Sequence, residues 1–443
     1  MKTLAIAVLA LGMTASAIGQ EAKTEDIQFY NPNSKLGLNQ FETSKRDMTP
    51  FDGLDLRIGG AFTQQFQALE HSNTAAFKPF VNGKDTLNAN KLKELGYGFN
   101  NAAANLNFDV QLADGIRLNL VAYLSSRHHN EAWVKGGYIQ VDKLGMLGSS
   151  FIDNVMKYTT IKVGHMEINY GDAHFRRSDG GNTFFNPFTE NYIMDAFTTE
   201  IGSEVYFQMD GILAMVGATG GEIKGDVTSP GKRNPAMLAK LGYDGEIMEN
   251  LRVRMTGSMY TTDGSLGNTL YAGDRTGSNY FWAMENGLPA TSTSANFTSG
   301  RFNPGFREKV TAFVINPFVK FHGLELFGNY EQAKGRTASD LAGEERTWTQ
   351  IGADAIFRFG ATENFYVAGR YNTVSGELAR ATAAQSLDKV SINRIVGSAG
   401  WFVTDNILAK VEYVSQQYKD FPTANILNGG EFKGFMVSGA VNF

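Results

Sequence analysis

The densest group of chemically versatile side chains lies in one polar stretch, from Asn169 to Thr199. Its charged members are Asp172, His174, Arg176, Arg177 and Asp179. Its aromatic members are Phe184, Phe185 and Phe188. If the rings pack on a wall and the charges face water, such a stretch can narrow a passage and discriminate ions by their sign. An ordinary surface loop held by Arg–Asp pairs is the alternative interpretation.

The remaining titratable groups give little support for catalysis. The histidines are His71, His128, His129, His165, His174 and His322. No motif marks the serine, histidine and acid that a serine hydrolase requires, and no glycine-rich phosphate loop precedes a helix. His165, Asp172 and His174 carry metal-ligand atoms, but their spacing runs from a strand into a loop and does not favour one coordination sphere. His128 and His129 occupy a predicted loop tip, where solvation is expected. We therefore predict no enzyme, cofactor or metal site.

The elements that must position these residues are β-strands. Between Leu54 and Ala68 apolar or small residues alternate with polar or charged ones. One face therefore carries Leu54, Leu56, Ile58, Gly60, Phe62, Phe66 and Ala68. This period-two alternation is typical of a strand with an apolar environment on one side and water on the other. The same alternation recurs along most of the chain and ends at Phe443.

The alternation predicts about sixteen strands. Short turns are expected at 113–115, 210–211, 245–250, 322–323, 360–364 and 403–406. Longer loops are expected at about 69–101, 169–199, 221–234, 261–308, 334–346, 375–388 and 419–429. Short and long connections alternate in this way in bacterial transmembrane barrels, with short periplasmic turns and long external loops. The connection at 143–157 is long where a short turn is expected, so it holds a short helix or marks a miscounted hairpin.

A soluble β-sandwich would show the same alternation, so strand length decides between the two folds. The predicted strands have about ten residues, enough to cross a bilayer, whereas strands of soluble proteins commonly have about five or six. Because lipid offers no partners to backbone N–H and C=O groups, such strands cross a membrane only as a closed sheet. We predict an all-β fold, a transmembrane antiparallel β-barrel over residues 51–443 with the loop near 169–199 folded inward. At this strand number wall side chains do not fill the lumen, which holds water.

The N-terminus predicts export. Lys2, the apolar run from Leu4 to Leu11 and the small residues around Ala17 form a signal peptide over residues 1–19. Residues 20–50 are polar and aperiodic, which predicts a flexible periplasmic segment. The chain of 443 residues has no cysteine, which excludes disulfides, cysteine-ligated zinc and a lipid anchor on a mature N-terminal cysteine. A formal charge of −5 does not indicate nucleic acid as a partner.

In three features the chain resembles Gram-negative outer-membrane porins, and most closely the phosphate-selective porin O and P family. The features are the run from Val163 to Asp172, the Gly400-Trp401-Phe402 motif with Asn406 and the run from Lys410 to Tyr413, and the terminal Phe443. The resemblance implies a sixteen-stranded, trimeric barrel that passes small anions, with Phe443 as the signal for the barrel assembly machinery. The lysine cluster and stacked arginine ladder of that family are not recognisable in this sequence.

Charges on the predicted inner face would set the field of the lumen. The basic set is Arg57, Arg117, Arg252, Arg254, Arg358, Arg370 and Lys410. The acidic set is Asp55, Asp109, Asp354 and Glu412. A ladder of cations would favour anions, whereas arginines paired with the acids would only brace the wall. We therefore expect a porin of the cell outer membrane that gives small hydrophilic solutes passive diffusion, with a mild preference for phosphate-like anions.

Two other functional classes stay open. In the first, the lumen is plugged and the long loops 69–101 and 261–308 bind partners in an outer-membrane complex. The second is an energised receptor-transporter, which is disfavoured because only about thirty mature residues precede the first strand, too few for a plug domain. The expected surroundings are outer-membrane lipid and lipopolysaccharide, with small ions or solutes as permeants and further copies of the chain as partners in a trimer.

Overall fold

The computed structural model describes residues 27–443 apart from 48, 101, 126–130, 226, 229–232, 266, 289–297, 339, 342–343, 381 and 384–387. The predicted signal peptide, His128 and His129 therefore lie outside the described residues. The strands are β1 (Asp55–Ser72), β2 (Pro79–Asn82), β3 (Asp85–Asn88), β4 (Gly98–Phe99), β5 (Ala103–Ala113), β6 (Ile116–Leu124), β7 (Trp133–Val141), β8 (Thr159–Glu167), β9 (Thr199–Met209), β10 (Ile212–Thr219), β11 (Ala236–Met248), β12 (Leu251–Asp263), β13 (Lys309–Phe321), β14 (Leu324–Arg336), β15 (Arg346–Phe359), β16 (Phe365–Glu377), β17 (Lys389–Thr404), β18 (Ile407–Lys419) and β19 (Glu431–Asn442).

The sheet closes on itself through its first and last strands. β1 pairs antiparallel with β5 on one edge and with β19 on the other, where Ala61 lies opposite Asn442 and Ser72 opposite Glu431. All other neighbours in the barrel are consecutive antiparallel strands from β5 to β19. Within the described residues, sixteen strands thus form the barrel, as the alternation predicted. The short β2–β3 hairpin stands apart from it, and β4 adds two residues beside β1.

The two ends of the barrel differ, as expected. At one end, called here the turn end, the connections are short and both the start of β1 and the end of β19 lie there. The connection from β7 to β8 is the long exception, and it holds a 3-10 turn at Gly145–Leu147 and the helix α1 at Ser150–Met156. At the other end, the loop end, all connections are longer. None of the helices in the described part of the chain is both long and apolar enough to cross a membrane.

The two faces of the wall follow the alternation. Leu56 and Ile58 on the outside keep about half of their surface exposed (52 and 54%), whereas the inward Gln65 and Gln67 are buried (4 and 6%). Aromatic side chains continue the apolar exterior: Phe359 stacks on Phe365 at 5.7 Å between ring centroids. A sheet that is apolar outside and polar inside is stable where lipid surrounds it.

Less of the barrel interior is open to water than the alternation predicted. At the loop end, inward residues of several strands are apolar and fully buried, among them Val310, Ala312, Trp348 and Ile392. They pack against Leu270, Tyr271, Tyr280 and Phe306 of the connection between β12 and β13. The physical reason is visible in β13, where residues on both faces are apolar, so both faces must be covered. Period two assigns the faces of a strand but does not reveal which loop covers the inner one.

Candidate functional site

The polar stretch singled out in the sequence lies inside the barrel. Residues 168–198, called here the in-turned segment, leave β8 and cross the lumen to the far wall before they enter β9. There the amide of Ile193 donates to Asn372 Oδ1 (2.7 Å) and the amide of Met194 donates to Gln350 Oε1 (2.9 Å). Phe184 and Phe188 are buried at 1 and 0% exposure. The ring of Phe184 packs on Phe402 of β17 at 5.2 Å between centroids.

One lysine of the wall anchors the middle of this segment. Lys410 Nζ donates to the carbonyl oxygens of Thr183 (2.9 Å), Asn186 (3.0 Å) and Phe188 (2.9 Å). All three proton donors of the ammonium group are thus used. The ammonium group of Lys410 is therefore occupied by backbone carbonyls inside the barrel.

Asp172 lies at the centre of a buried network of charges. Its carboxylate accepts two hydrogen bonds from Arg254, both at 2.8 Å, and it lies 2.7 Å from Lys240 Nζ. Glu42 joins the network at 3.2 Å from Lys240 and 2.9 Å from Arg254. Burial raises the pKa of Asp172 and Glu42, but Lys240 and Arg254 outweigh it and hold both pKa values below the ordinary range. Buried ions persist in this form because each has several partners.

Arg177 and Asp179 belong to a second network of charges. Arg177 bonds Asp195 at 2.6 Å and Asp179 at 3.3 Å, and its guanidinium lies 3.7 Å from the centroid of the Phe197 ring. Asp179 also pairs with Lys135 of β7. Burial raises the pKa of Asp179, and Lys135 only partly offsets that effect.

His174 and Arg176 complete the predicted set. His174 lies between Glu167 Oε1 (3.1 Å) and Asn169 Oδ1 (2.9 Å), and stacks on Phe175 at 3.8 Å. Arg176 lies 3.3 Å from Glu325, which also accepts a hydrogen bond from Arg358 at 2.7 Å.

The other predicted lumen cations also face inward; Arg117, Arg252 and Arg370 pair with acids of the wall, and Arg57 contacts a ring of the N-terminal segment. Arg117 pairs with Asp109 (3.2 Å). Arg252 forms a bidentate pair with Asp244 (2.7 Å for both contacts), and Arg370 forms one with Asp354 (2.7 and 2.8 Å). Arg57 lies 5.0 Å from the centroid of the Tyr30 ring. The structure thus brings these residues together as braces, the alternative that the sequence left open, and shows no ladder of presented cations among them.

Water-accessible space remains along β5 to β9. A cavity of about 340 Å³ lies between these strands and the in-turned segment, and amides, aromatic rings and charges line it. Lys162 of β8 faces it, with Nζ 5.4 Å from the Tyr138 ring and 5.1 Å from the Tyr206 ring. Among the described residues, no carboxylate lies within 4 Å of this ammonium group. The sequence analysis missed Lys162, although its inward position follows from the same alternation through β8.

The N-terminal segment is the main departure from the sequence expectation. A flexible periplasmic segment was predicted over residues 20–50, yet Ile27, Phe29 and Phe41 are buried. Residues 27–47, called here the N-terminal strap, lie inside the turn-end mouth. A polar, aperiodic composition suits a segment in water, but it suits a segment against a polar lumen wall equally well. Composition alone therefore does not separate the two.

The predicted ligands His165 and Asp172 have separate partners in the structure. His165 bonds Thr199 Oγ1 at 3.0 Å, whereas Asp172 belongs to the Lys240 network. No group of three or more His, Cys, Asp or Glu side chains in the described ranges is placed to hold a metal ion.

No protein-family model and no curated protein matches this chain. Solved structures do. The chain is similar to an anion-selective porin from Comamonas acidovorans, with 10% identity, 88% of this chain and 100% of that chain covered, and a TM-score of 0.50. It is similar to the outer-membrane channel DcaP of Acinetobacter baumannii (11%, 88% and 98%, TM-score 0.49). It is also similar to the trimer form of OmpT of Vibrio cholerae (10%, 88% and 100%, TM-score 0.49).

The chain has the fold of outer-membrane porins. The structural similarity to the Comamonas porin shows this fold, and at 10% sequence identity it shows nothing finer. The resemblance to the phosphate-selective porins therefore stays a prediction.

Proposed function

We propose that this chain is a porin of the Gram-negative outer membrane, through which small hydrophilic solutes diffuse passively. The observation that carries the proposal is the polar cavity of about 340 Å³ between β5–β9 and the in-turned segment, inside a closed sixteen-stranded barrel with an apolar exterior. A barrel of this width needs an inward-folded segment to narrow its lumen. Of the predicted constriction residues, His174 and Asp179 would shape the cavity wall directly. Asp172, Arg176 and Arg177 would hold the segment in place through their buried ion pairs.

We also propose a mild preference for anions, carried by Lys162. The acids that line the cavity have close cationic or imidazole partners, such as Asp109 with Arg117 and Glu167 with His174. Lys162 has aromatic rings for neighbours and therefore presents its charge to the passage. Charged walls favour permeants of opposite sign. A single presented lysine suits weak, general anion preference better than a phosphate-specific pathway.

The decisive measurement is the reversal potential of the purified protein in a planar bilayer under a KCl gradient. We expect a modest shift towards chloride, which Lys162→Gln abolishes. Lys433→Gln is the matched control, because Lys433 lies at the loop-end rim near Glu70 and does not line the cavity. Cation preference in the unmodified protein would overturn the selectivity, and the absence of any conductance would overturn the channel.

A structural role with a plugged lumen is the second candidate. The apolar core at the loop end, built from Leu270, Tyr271, Tyr280 and Phe306 against the wall, favours it because this core closes part of the lumen. Liposome swelling separates the two: a channel admits small sugars, and a plugged barrel admits none.

The remaining expectations belong to the same proposal. Export by the signal peptide over residues 1–19, a homotrimer, contact with lipopolysaccharide and recognition of Phe443 by the assembly machinery each accompany a porin in the outer membrane. Phe443 is well placed for recognition, because its ring is 53% exposed while its backbone pairs with Gly60 through two hydrogen bonds of 3.0 Å.

A further inference from the structure

The N-terminal strap runs once round the turn-end mouth. It begins at the β5–β6 turn, where Gln28 accepts from the Gly115 amide (2.7 Å) and donates to Asp114 (3.0 Å). Asn33 Oδ1 then accepts a hydrogen bond from the side chain of Asn442 at the end of β19 (3.1 Å). The amide of Lys35 donates to the carbonyl of Asp405 (2.8 Å) in the β17–β18 turn, and its ammonium reaches Asn364 (2.8 Å) in the β15–β16 turn.

The second half of the strap completes the circuit. The carbonyl of Asn39 accepts from Arg252 of β12 (2.9 Å), and Lys45 bonds Asp142 after β7 (3.1 Å) and the carbonyl of Thr159 (2.9 Å). Gln28 also donates to the carbonyl of Thr49 (2.8 Å), which brings the start of the strap next to the chain that follows its end. The strap therefore contacts the wall on all sides of the mouth.

The middle of the strap reaches the in-turned segment. Phe41 is buried, with its ring 5.6 Å from that of Phe175 and 5.5 Å from that of Phe318. Glu42 accepts a hydrogen bond from Asn169 (2.9 Å) and pairs with Lys240 and Arg254. The strap and the constriction thus share one network of buried charges.

Two cavities lie on either side of this point. The lumen cavity of about 340 Å³ and a second cavity of about 810 Å³ at the turn-end mouth share Asn31, Gln40, Phe41 and Glu42 in their walls. The strap therefore lies at the boundary between them. Apart from a 3-10 turn at Lys35–Gly37, the strap has no regular secondary structure. It can therefore leave the mouth without breaking any hydrogen bond between barrel strands.

We propose that residues 27–47 are a displaceable strap that closes the turn-end mouth, so that its undocking limits flux through the barrel. This inference rests on the proposed channel function. Apart from the buried Ile27, Phe29 and Phe41, the anchors are polar side chains and backbone groups, which water can replace when the strap leaves. The barrel itself is held by its strand ladders. Undocking of the strap therefore requires only the loss of its anchors, whereas opening of the barrel requires the loss of hydrogen bonds between strands.

A disulfide lock tests the proposal, and the chain has no native cysteine to interfere. The lock is Asn33→Cys with Asn442→Cys, whose native side chains are 3.1 Å apart. The matched control is Thr373→Cys with Asn393→Cys, a hydrogen-bonded pair (2.6 Å) across β16 and β17 that does not involve the strap. A mobility shift on a non-reducing gel verifies each disulfide before recording.

We expect oxidation to lower the time-averaged conductance of the lock about tenfold, which corresponds to a tenfold shift in the ratio of docked to undocked strap. A reductant should restore the conductance. The control pair should conduct equally in both redox states. As a second measure, Glu42→Gln with Lys45→Gln should raise conductance by weakening the anchors. If the unmodified barrel conducts and neither variant changes it, the strap proposal is wrong and the channel stands. If no form conducts, the channel function itself fails, and the strap proposal with it.

Discussion

Replacing Lys410 with methionine should loosen the constriction while leaving the barrel folded. The substitution keeps the length of the side chain but removes the three hydrogen bonds to the carbonyls of Thr183, Asn186 and Phe188. Hydrogen bonds to a charged donor contribute about 1.5–3 kcal/mol each, so three contribute about 5–9 kcal/mol. Burial of the ammonium group costs several kcal/mol, which methionine avoids.

The difference leaves a net loss of about 2–4 kcal/mol in the free energy that docks the segment. Since about 1.4 kcal/mol corresponds to a factor of ten, the undocked state becomes about 30- to 700-fold more populated. We expect larger single-channel conductance or frequent flicker between two levels in planar bilayers. The migration of unheated protein on a denaturing gel should still show a closed barrel.

Lys419→Met is the matched control, because Lys419 lies at the exposed end of the same strand. It should leave both conductance and noise unchanged. If folded Lys410→Met shows the conductance and noise of the unmodified protein, Lys410 does not hold the constriction and the segment is stabilised by its other contacts.

Three further outcomes are expected. Asp172→Asn leaves Lys240 with Glu42, and Arg254 with Glu42 and Asp244, as carboxylate partners; because Lys240 loses its nearest carboxylate, the free energy of unfolding should fall by about 3–5 kcal/mol. An unchanged temperature at which the unheated gel form disappears would contradict this. Burial raises the pKa of Glu42, but Lys240 and Arg254 hold it well below the ordinary 4.5. Its carboxylate therefore stabilises the docked strap above that pH and ceases to do so as pH falls through the lowered pKa. Conductance should therefore rise in acid below pH 4.5, and Glu42→Gln should lack this rise; an equal rise in the variant would refute the role of Glu42. Phe443→Ala should reduce the folded protein recovered from outer-membrane fractions several-fold, and an equal yield would dismiss Phe443 as the assembly signal.

The barrel could be predicted from the sequence because its information is local. The alternation from Leu54 to Ala68 assigns each side chain to a face whatever the neighbouring strand is, and repeats of it count the strands. The lengths of the connections then separate the two ends. Even the exception at 143–157 was recognisable as a helix or a miscount, and it proved to hold α1.

The content of the lumen depends on contacts between residues far apart in the chain. Arg254 pairs with Asp244, 10 residues away on the neighbouring strand, but also with Asp172 and Glu42, 82 and 212 residues away. Such pairs are set by how the in-turned segment and the strap dock, and no periodicity in the sequence encodes that docking. For the same reason, the sequence does not distinguish inward arginines that attract anions from inward arginines that pair with acids of the wall. The N-terminal strap shows the limit most clearly: its polar residues are compatible with bulk water and with a polar wall, and only the folded barrel brings that wall to them.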